Sequence, residues 1–180
     1  MKIKIVIALL SMAFLNGCGF KLGGMTSGYV SLHPSLAYIY ISGGGTNFQR
    51  LLYERLEGSG INLVNANYKD NHAVIKFNTF STTSKVISVT ESTQAREYRL
   101  ESELSMIVLK KDKDVELETC DSCVLLPATY LKVQRDFVFS ATSILSSGAE
   151  QQRLYKEMEE ELARLVMYKL KTVNPESKSE

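Results

Sequence analysis

Four stretches of this chain have residue patterns typical of β-strands, with apolar and polar residues alternating in the second and third and aromatic and branched residues alternating in the first. The stretches cover residues 37–41, 72–90, 98–108 and 130–139, and the third places an apolar side chain at every second position apart from Ser102. Because successive side chains of a strand point to opposite sides of a sheet, this period gives a strand one dry and one wet face. The pattern therefore predicts four strands, and the second and third of them form an unusually long hairpin.

Two further segments repeat apolar residues with the spacing of an α-helix. The first opens on Thr46 and Gln49, which match the capping-box pattern, and the second opens on the same pattern at Ser147 and Glu150. A Gly-Ser-Gly turn at residues 58–60 ends the first helix. The predicted apolar stripes are Phe48, Leu51, Leu52 and Leu56 in the first helix and Leu154, Met158, Leu162, Leu165 and Val166 in the second.

The order of these elements is β-α-β-β-β-α, which predicts an α+β fold. We expect a four-stranded, mostly antiparallel sheet with two amphipathic helices packed on one face, because that arrangement buries all the apolar stripes. Residues 61–65 form a short extended piece after the first helix, and Pro127 interrupts the chain before the last strand. A single domain is expected over residues 36–173, followed by a disordered tail at residues 174–180.

The N-terminus has the features of a secretory signal. Two lysines precede an apolar run at residues 5–15, which is shorter than the roughly 20 residues that a membrane-spanning helix needs. Gly17 stands directly before Cys18, as in a bacterial lipoprotein signal, although Asn16 replaces the usual small or hydroxyl residue. We therefore predict a signal peptide over residues 1–17 and a diacylglycerol on the thiol of Cys18. An ordinary cleaved signal with a chance cysteine is the alternative.

The residues that follow Cys18 indicate the destination of the lipidated chain. Residues 18–35 are rich in glycine and weakly patterned, which is typical of a tether. Gly19 follows the cysteine, where an aspartate would usually retain such a lipoprotein in the inner membrane. The sequence therefore predicts a protein of the outer membrane, lipid-anchored on its periplasmic side.

Charge and composition exclude one class of partner. The full chain has 21 basic and 20 acidic residues, and loss of two lysines with the signal takes the net charge from +1 to −1. A nearly neutral domain has no global electrostatic attraction for nucleic acid, so no nucleic-acid partner is expected. Tryptophan is absent and tyrosines outnumber phenylalanines nine to seven, a composition that favours sheet.

Cys120 and Cys123 form a single C-x-x-C motif. A redox site would place this motif at the start of a helix, and no helical pattern follows it. A zinc site would need a second pair of ligands, and the two histidines, His33 and His72, are far away in sequence. A structural disulfide that closes a loop is the third possible interpretation. The oxidising compartment favours it over a redox site or a zinc site.

Catalytic motifs are lacking from the sequence. Neither histidine lies in a recognisable motif, and there is no nucleophile elbow, metalloprotease motif or phosphate loop. Three glycines at residues 43–45 precede a helix, where backbone amides can hold an anion, but the lysine and hydroxyl residue of a phosphate loop are missing. We interpret them as a turn and predict a non-enzymatic protein without metal or cofactor.

A set of basic residues on the predicted strands is the remaining candidate for binding. It consists of Lys85, Arg96, Arg99, Lys132 and Arg135. Any one of them is explained by a solvated strand face, but together they offer ammonium and guanidinium groups to phosphates. In an outer-membrane lipoprotein, the phosphates at hand belong to the lipid A of lipopolysaccharide. No metal site is predicted beside this set.

The chain resembles the LPS-assembly lipoprotein family, LptE. The resemblance depends on Gly-Cys-Gly-Phe-Lys-Leu at residues 17–22, on the element order, on Ala-Arg-Glu-Tyr-Arg-Leu at 95–100 and on Lys-Val-Gln-Arg at 132–135. It covers nearly the whole mature chain, although the C-x-x-C motif at residues 120–123 is not part of the family pattern. It implies a non-enzymatic protein that plugs an outer-membrane β-barrel of the LptD type.

The resemblance also implies that the chain assists assembly of this barrel and binds lipopolysaccharide on its way to the outer leaflet. Basic residues on the sheet are implicated in that binding. The matching positions are Lys132 and Arg135, with Lys85 less secure, and Arg96 is included as a candidate beside them. The alternative is a periplasmic lipoprotein that serves as an accessory subunit of an ABC-type lipid transporter.

Overall fold

The structure is a computed structural model that describes residues 32–91, 95–112, 120, 123–139 and 144–173. A 3₁₀ turn at Pro34–Leu36 leads into the elements, whose bounds are β1 Tyr38–Ser42, α1 Thr46–Glu57, β2 Asn62–Leu63, β3 His72–Val89, β4 Ala95–Lys111, β5 Val124–Val138 and α2 Ile144–Lys171. The predicted signal peptide, Cys18, nearly all of the tether and the predicted tail lie outside the described residues.

The sheet has five strands in the order β2-β1-β3-β4-β5, so the prediction of four strands is wrong by one. The additional strand is β2, which falls in the predicted extended piece and pairs with β1 in parallel. It has only two residues, too few for any period to be visible in the sequence. β1 and β3 are also parallel, whereas the long pairings β3–β4 and β4–β5 are antiparallel.

Strand β5 begins at Val124, well before the predicted start at residue 130, and it includes Pro127. The proline does not interrupt the strand because β5 lies at the edge of the sheet, where the absence of one backbone N–H is tolerated. The β4–β5 register shifts between Met106 and Val108, whose partners are Thr129 and Leu126, so Pro127 occupies a bulge.

One face of the sheet is packed against the helices, and we call it the helix face. Cross-strand partners share a face, and the pairs Ile75–Val108 and Leu104–Leu131 are buried there. Both helices join the same core cluster, which confirms the α+β class with two helices against one sheet. Their buried residues include Phe48, Leu52 and Leu56 of α1 and Leu154, Met158, Leu162, Val166 and Leu170 of α2. The opposite side, on which no described helix packs, is called the open face.

Both predicted capping boxes are displaced in the structure. Gly45, not Thr46, is the N-cap residue of α1, and Thr46 is the first residue inside the helix. Gln49 reaches back as the pattern suggests, but its Nε2 donates to the carbonyl oxygen of Gly43. Helix α2 starts at Ile144, so Ser147 is buried inside the helix and is not its cap. The helix therefore begins three residues before the predicted start at Ser147.

Candidate functional site

The four candidate lipopolysaccharide-binding residues lie on two faces of the sheet. Lys85 pairs in register with Arg99, and Lys132 pairs with Glu103, all of them on the open face. Arg135 is the cross-strand partner of the buried Leu100 and therefore lies on the helix face. Arg96 lies near the end of β4, where the β3–β4 register shifts between Glu97 and Ala95. The structure thus brings Lys85 and Lys132 together, places Arg135 on the other face and leaves Arg96 at the end of the hairpin.

Lys85 and Lys132 meet at the carboxylate of Glu101. Lys85 Nζ donates to Glu101 Oε2, and Lys132 Nζ lies 3.2 Å from Oε1 of the same group and 3.0 Å from Oε1 of Glu103. Gln134 Nε2 donates to Glu101 Oε1 over 2.7 Å. We call these five residues the Glu101 cluster. Three adjacent strands contribute to it, since Lys85 is on β3, the glutamates are on β4, and Lys132 and Gln134 are on β5.

Burial differs sharply within the Glu101 cluster. The Glu101 side chain is 7% exposed, whereas the Lys85 side chain is 62% exposed and the Lys132 side chain 33%. The glutamate therefore lies beneath the two ammonium groups, which face solvent. A buried carboxylate needs hydrogen bonds and counter-charges to stay ionised, and Glu101 has both. The hydrogen bond from Lys85, assisted by Lys132, lowers the pKa of Glu101 to about 2, against the opposing effect of burial.

Glu103 is the second carboxylate of the cluster and is 28% exposed. A hydrogen bond from the Tyr130 hydroxyl and a second from Lys132 lower the pKa of Glu103. The same bond raises the pKa of Tyr130, because the hydroxyl donates its proton to the carboxylate. Two lysines and two glutamates give the Glu101 cluster a net charge of zero at neutral pH.

Arg99 and Asp136 form a second ion pair beside the cluster. Arg99 Nε and Nη2 each donate to one oxygen of Asp136 at 2.8 Å, a two-pronged pairing that lowers the pKa of Asp136. Lys85 of β3 is the cross-strand partner of Arg99, and Glu101 follows Arg99 two residues later on β4. As far as the described residues go, the middle of the open face is therefore a strip of paired charges.

Arg135 makes a different contact on the helix face. Its Nη2 donates to Glu161 Oε2 of α2, and Arg164 Nη2 lies 3.4 Å from the other oxygen of that carboxylate. Arg135 thus joins β5 to the helix that covers the sheet. This contact gives Arg135 a structural explanation that does not involve a ligand.

Arg96 lies near the far end of the hairpin and has no carboxylate partner among the residues that the structure describes. Its carbonyl oxygen accepts the backbone N–H of Phe139 over 2.7 Å. Apolar side chains at the same end of the sheet are exposed: Val86 by 51%, Val89 by 57% and Val138 by 62%. Of the four candidates, Arg96 is the one whose charge is not neutralised by a described neighbour.

The acidic half of the cluster was not predicted from the sequence. Glu101, Glu103 and Gln134 were visible only as polar positions of a wet strand face. Their contacts depend on the register of three strands, which no local pattern reports. In contrast, the placement of Lys132 and Arg135 on opposite faces could be predicted from the sequence, because residues three apart in a strand point to opposite sides of a sheet.

The two histidines have structural roles. His33 Nδ1 accepts the backbone N–H of Ser35 at the 3₁₀ turn, and His72 Nδ1 is 2.7 Å from the carbonyl oxygen of Asp70. The described parts of the chain contain no group of three residues that could hold a metal ion. The glycines at residues 43–45 form a turn in which all three have positive φ.

Cys120 and Cys123 are joined as a disulfide, with their Cα atoms 5.3 Å apart. Cys123 is buried, and β5 begins at the next residue. Cys120 also lines a concavity of about 740 Å³ on the open face, with a mixed polar and apolar lining. The floor of this concavity consists of Tyr40, Val74, Ile107, Leu109 and Val124, with Lys76 and Lys111 among its polar neighbours.

Comparison with known proteins gives a family and a fold. The model of the LptE family, described as lipopolysaccharide-assembly, matches residues 35–170. No curated protein matches the chain by sequence. Among the described residues, no helix has the length and apolar character required to cross a membrane.

Three solved structures have the same fold. Rare lipoprotein B from Shewanella oneidensis is 20% identical with a TM-score of 0.57, covering 73% of this chain and 91% of that one. An uncharacterized lipoprotein B from Nitrosomonas europaea is 24% identical with a TM-score of 0.56, covering 83% and 88%. A minor lipoprotein from Acinetobacter baumannii is 10% identical with a TM-score of 0.55, covering 75% and 90%.

Proposed function

Because the chain belongs to the LptE lipopolysaccharide-assembly family, we propose that it partners an LptD-type outer-membrane barrel and binds lipopolysaccharide on its way to the outer leaflet. Proteins of this family are non-enzymatic lipoproteins with a role in lipopolysaccharide transport and assembly. The observation that carries the proposal is the family match, which extends from residue 35 to residue 170 and so includes every strand and nearly all of α2.

The proposed anchor is a diacylglycerol on Cys18, with the domain held at the periplasmic side of the outer membrane. Each buried CH₂ of an acyl chain contributes about 0.8 kcal/mol, so a lipid anchor retains a chain at a membrane without a spanning helix. The apolar N-terminal run before Cys18 and the Gly19 that follows it support this location.

The proposed fit to a barrel depends on the polarity of the surface. The lumen of an outer-membrane barrel is polar, so a plug has to present polar groups to it. The open face meets this requirement along its middle, where the Glu101 cluster and the Arg99–Asp136 pair cover β3, β4 and β5 with paired charges. Paired charges also avoid a large desolvation cost for any single unpaired ion.

The proposed contact with lipopolysaccharide is made by basic side chains and the phosphates of lipid A. Lys85 and Lys132 present neighbouring ammonium groups on the open face. Arg96, which has no carboxylate partner among the described residues, presents a guanidinium at the end of the sheet where apolar side chains are exposed. Arg135 is retained as a candidate from the family resemblance, although its Nη2 is bonded to Glu161.

Substitution of Lys132 tests this contact. We expect Lys132→Met to weaken binding of lipopolysaccharide by about tenfold or more, since a charge-assisted hydrogen bond contributes roughly 1.5–3 kcal/mol. Binding is measured by titration of the purified, lipidated protein in detergent. Arg135→Met, on the helix face, is the matched variant. Equal affinity of Lys132→Met and the parent would contradict the assignment of Lys132. A selective loss in Arg135→Met would move the site to the other face.

A further inference from the structure

Strand β3 has a free edge along its second half. On that side, β1 pairs only with residues 73–76, and no other strand in the described parts of the chain pairs there. On the other side, the eight residues 79–86 pair with β4 in unbroken register between two bulges. Alternate residues of an antiparallel pair direct their N–H and C=O away from the partner strand. Along roughly 26 Å of strand, about four residues thus direct backbone groups outward, and we call this edge the free β3 edge.

The other long edge of the sheet, on β5, has features that prevent pairing with a further strand. It contains a proline at a bulge and three charged side chains, Pro127, Lys132, Arg135 and Asp136. Natural proteins use prolines, bulges and charges to keep edge strands from pairing with other chains. The free β3 edge has no proline, and its one charged residue, Lys85, is bonded to Glu101. Its other residues are mostly hydroxyl and branched ones, and the edge is therefore suited to accept a strand.

This part of β3 is also exposed on both faces of the sheet. Residues 82–87 are consecutive exposed positions, and since successive side chains point to opposite sides, neither helix covers them. Val86 is 51% exposed and Ile87 is 42% exposed. A second copy of the chain, paired edge to edge, would cover the edge and leave both faces in solvent. A chain that surrounds β3 covers the edge and both faces together, so this exposure favours an enclosing partner.

We propose that an extended segment of the barrel partner pairs with the free β3 edge as an additional strand. This inference rests on the proposed function, because the barrel is the partner that encloses the chain. In this mode of binding, backbone hydrogen bonds give the affinity and alternate side chains give the specificity. The segment is expected to carry few charges, since the free β3 edge is uncharged apart from Lys85, which Glu101 neutralises.

Amide hydrogen exchange at single-residue resolution measures this pairing directly. The full lipidated chain is compared with its complex with the barrel, co-purified from native membranes in the same detergent. In the chain alone, we expect residues 79–86 to alternate between slow amides bonded to β4 and fast outward amides. In the complex, the outward amides are expected to exchange about tenfold more slowly or less. The outward amides of β5 are the internal control and are expected to slow less.

Thr83→Pro and Ser84→Pro are a matched pair of variants, because adjacent residues direct their N–H groups to opposite edges of the strand. One variant loses a hydrogen bond to β4, and its midpoint of thermal unfolding is expected to fall. The other loses only an outward N–H, and its stability is expected to stay near that of the parent, since edge strands tolerate proline. In this stable variant, recovery of the barrel is expected to fall roughly threefold or more, as for the loss of one hydrogen bond.

Three outcomes would contradict these expectations. Fast exchange of the outward amides in the complex, or full recovery of the barrel with the stable proline variant, would overturn this inference alone. Slow exchange of the same amides in the purified chain would also overturn it, because the edge would then be covered by the chain itself or by a second copy. Absence of a barrel from the parent preparation would overturn the proposed function as well.

Discussion

At the scale of single residues, Glu101 accounts for the electrostatics of the open face. Its side chain is only 7% exposed, and in the absence of partners burial would favour the neutral acid. Hydrogen bonds from Lys85 and Lys132 reverse that preference and lower the pKa of Glu101 to about 2. The residue is consequently an anion throughout the physiological range, and it fixes the two lysines on the surface above it.

The lowered pKa predicts how the stability of the domain depends on pH. A carboxyl whose folded pKa of about 2 lies below its ordinary value of 4.5 stabilises the fold above pH 4.5 and loses that contribution as the pH falls toward 2. We therefore expect the free energy of unfolding to decrease between pH 4.5 and 2, measured by urea denaturation. The free energy of unfolding of the Glu101→Gln variant is expected to decrease less over the same pH interval. An equal decrease in the free energy of unfolding of parent and variant would contradict the assignment of this pH dependence to Glu101.

At the scale of elements, the turn before α1 shows where backbone conformation limits the sequence. Gly43, Gly44 and Gly45 have φ values of 81°, 97° and 75°, which other residues rarely adopt. A Cβ on Gly43 would also lie 2.6 Å from the carbonyl oxygen of Phe77 on β3. The glycines thus allow α1 to return close to the sheet and place Phe48 in the core.

A pair of glycine substitutions tests this explanation. Gly43→Ala is expected to lower the free energy of unfolding by roughly 2 kcal/mol or more, from the left-handed backbone and the collision with Phe77. Gly148→Ala is the control, because Gly148 lies inside α2 and an added Cβ would meet no atom within 4 Å. It is expected to raise stability by roughly 0.5–1 kcal/mol. Thermal or urea denaturation measures the stability of both variants. Unchanged stability of Gly43→Ala would contradict the close contact between Gly43 and the Phe77 carbonyl group.

The disulfide at the start of β5 closes a very short loop. Such a loop loses little entropy on closure, so the chain-entropy relation gives a stabilisation of roughly 2 kcal/mol at 25 °C. We expect the Cys120→Ser/Cys123→Ser variant to remain folded and to lose stability by about that amount. Thiol labelling of the parent without reductant is expected to modify neither residue. Rapid labelling of both would instead support the redox or metal-binding interpretation of the motif.

The fold was predictable where a period is long enough to be read. Helix α1 and the third predicted strand lie where their apolar stripes indicate, and Phe48 and Leu104 are buried as expected. Strand β2 was not predictable, because two residues carry no period. Pro127 was misinterpreted as a break because its place on an edge strand is a property of the whole sheet.

The candidate site was predictable only in its basic half. Lysines and arginines on strands can be listed from the sequence, but their partners depend on the register that brings β3, β4 and β5 together. Glu101 has the same polar appearance in the sequence as any residue of a solvated strand face. Its burial and its three donors appear only when the strands on both sides are in place.

At the scale of the whole molecule, the sheet separates two kinds of surface. The helix face is covered by α1 and α2 and holds the core, while the open face has a concavity of mixed polarity and a strip of paired charges. Strand β3 alone has 18 residues and, at about 3.3 Å per residue, extends roughly 60 Å. The end of the hairpin with Arg96 therefore lies far from the 3₁₀ turn at which the described chain begins.

The membership in the LptE family and the paired charges of the open face support the proposal that the chain acts with an outer-membrane barrel. Co-purification tests this proposal. The full chain, tagged at its C-terminus, is extracted from native membranes in mild detergent, and the recovered partners are identified by mass spectrometry. We expect an LptD-type barrel to be recovered in roughly equal amount, and we expect the same recovery with the Lys132→Met variant. Recovery of the lipid-anchored chain without a barrel, or with subunits of an ABC-type lipid transporter in its place, would contradict it.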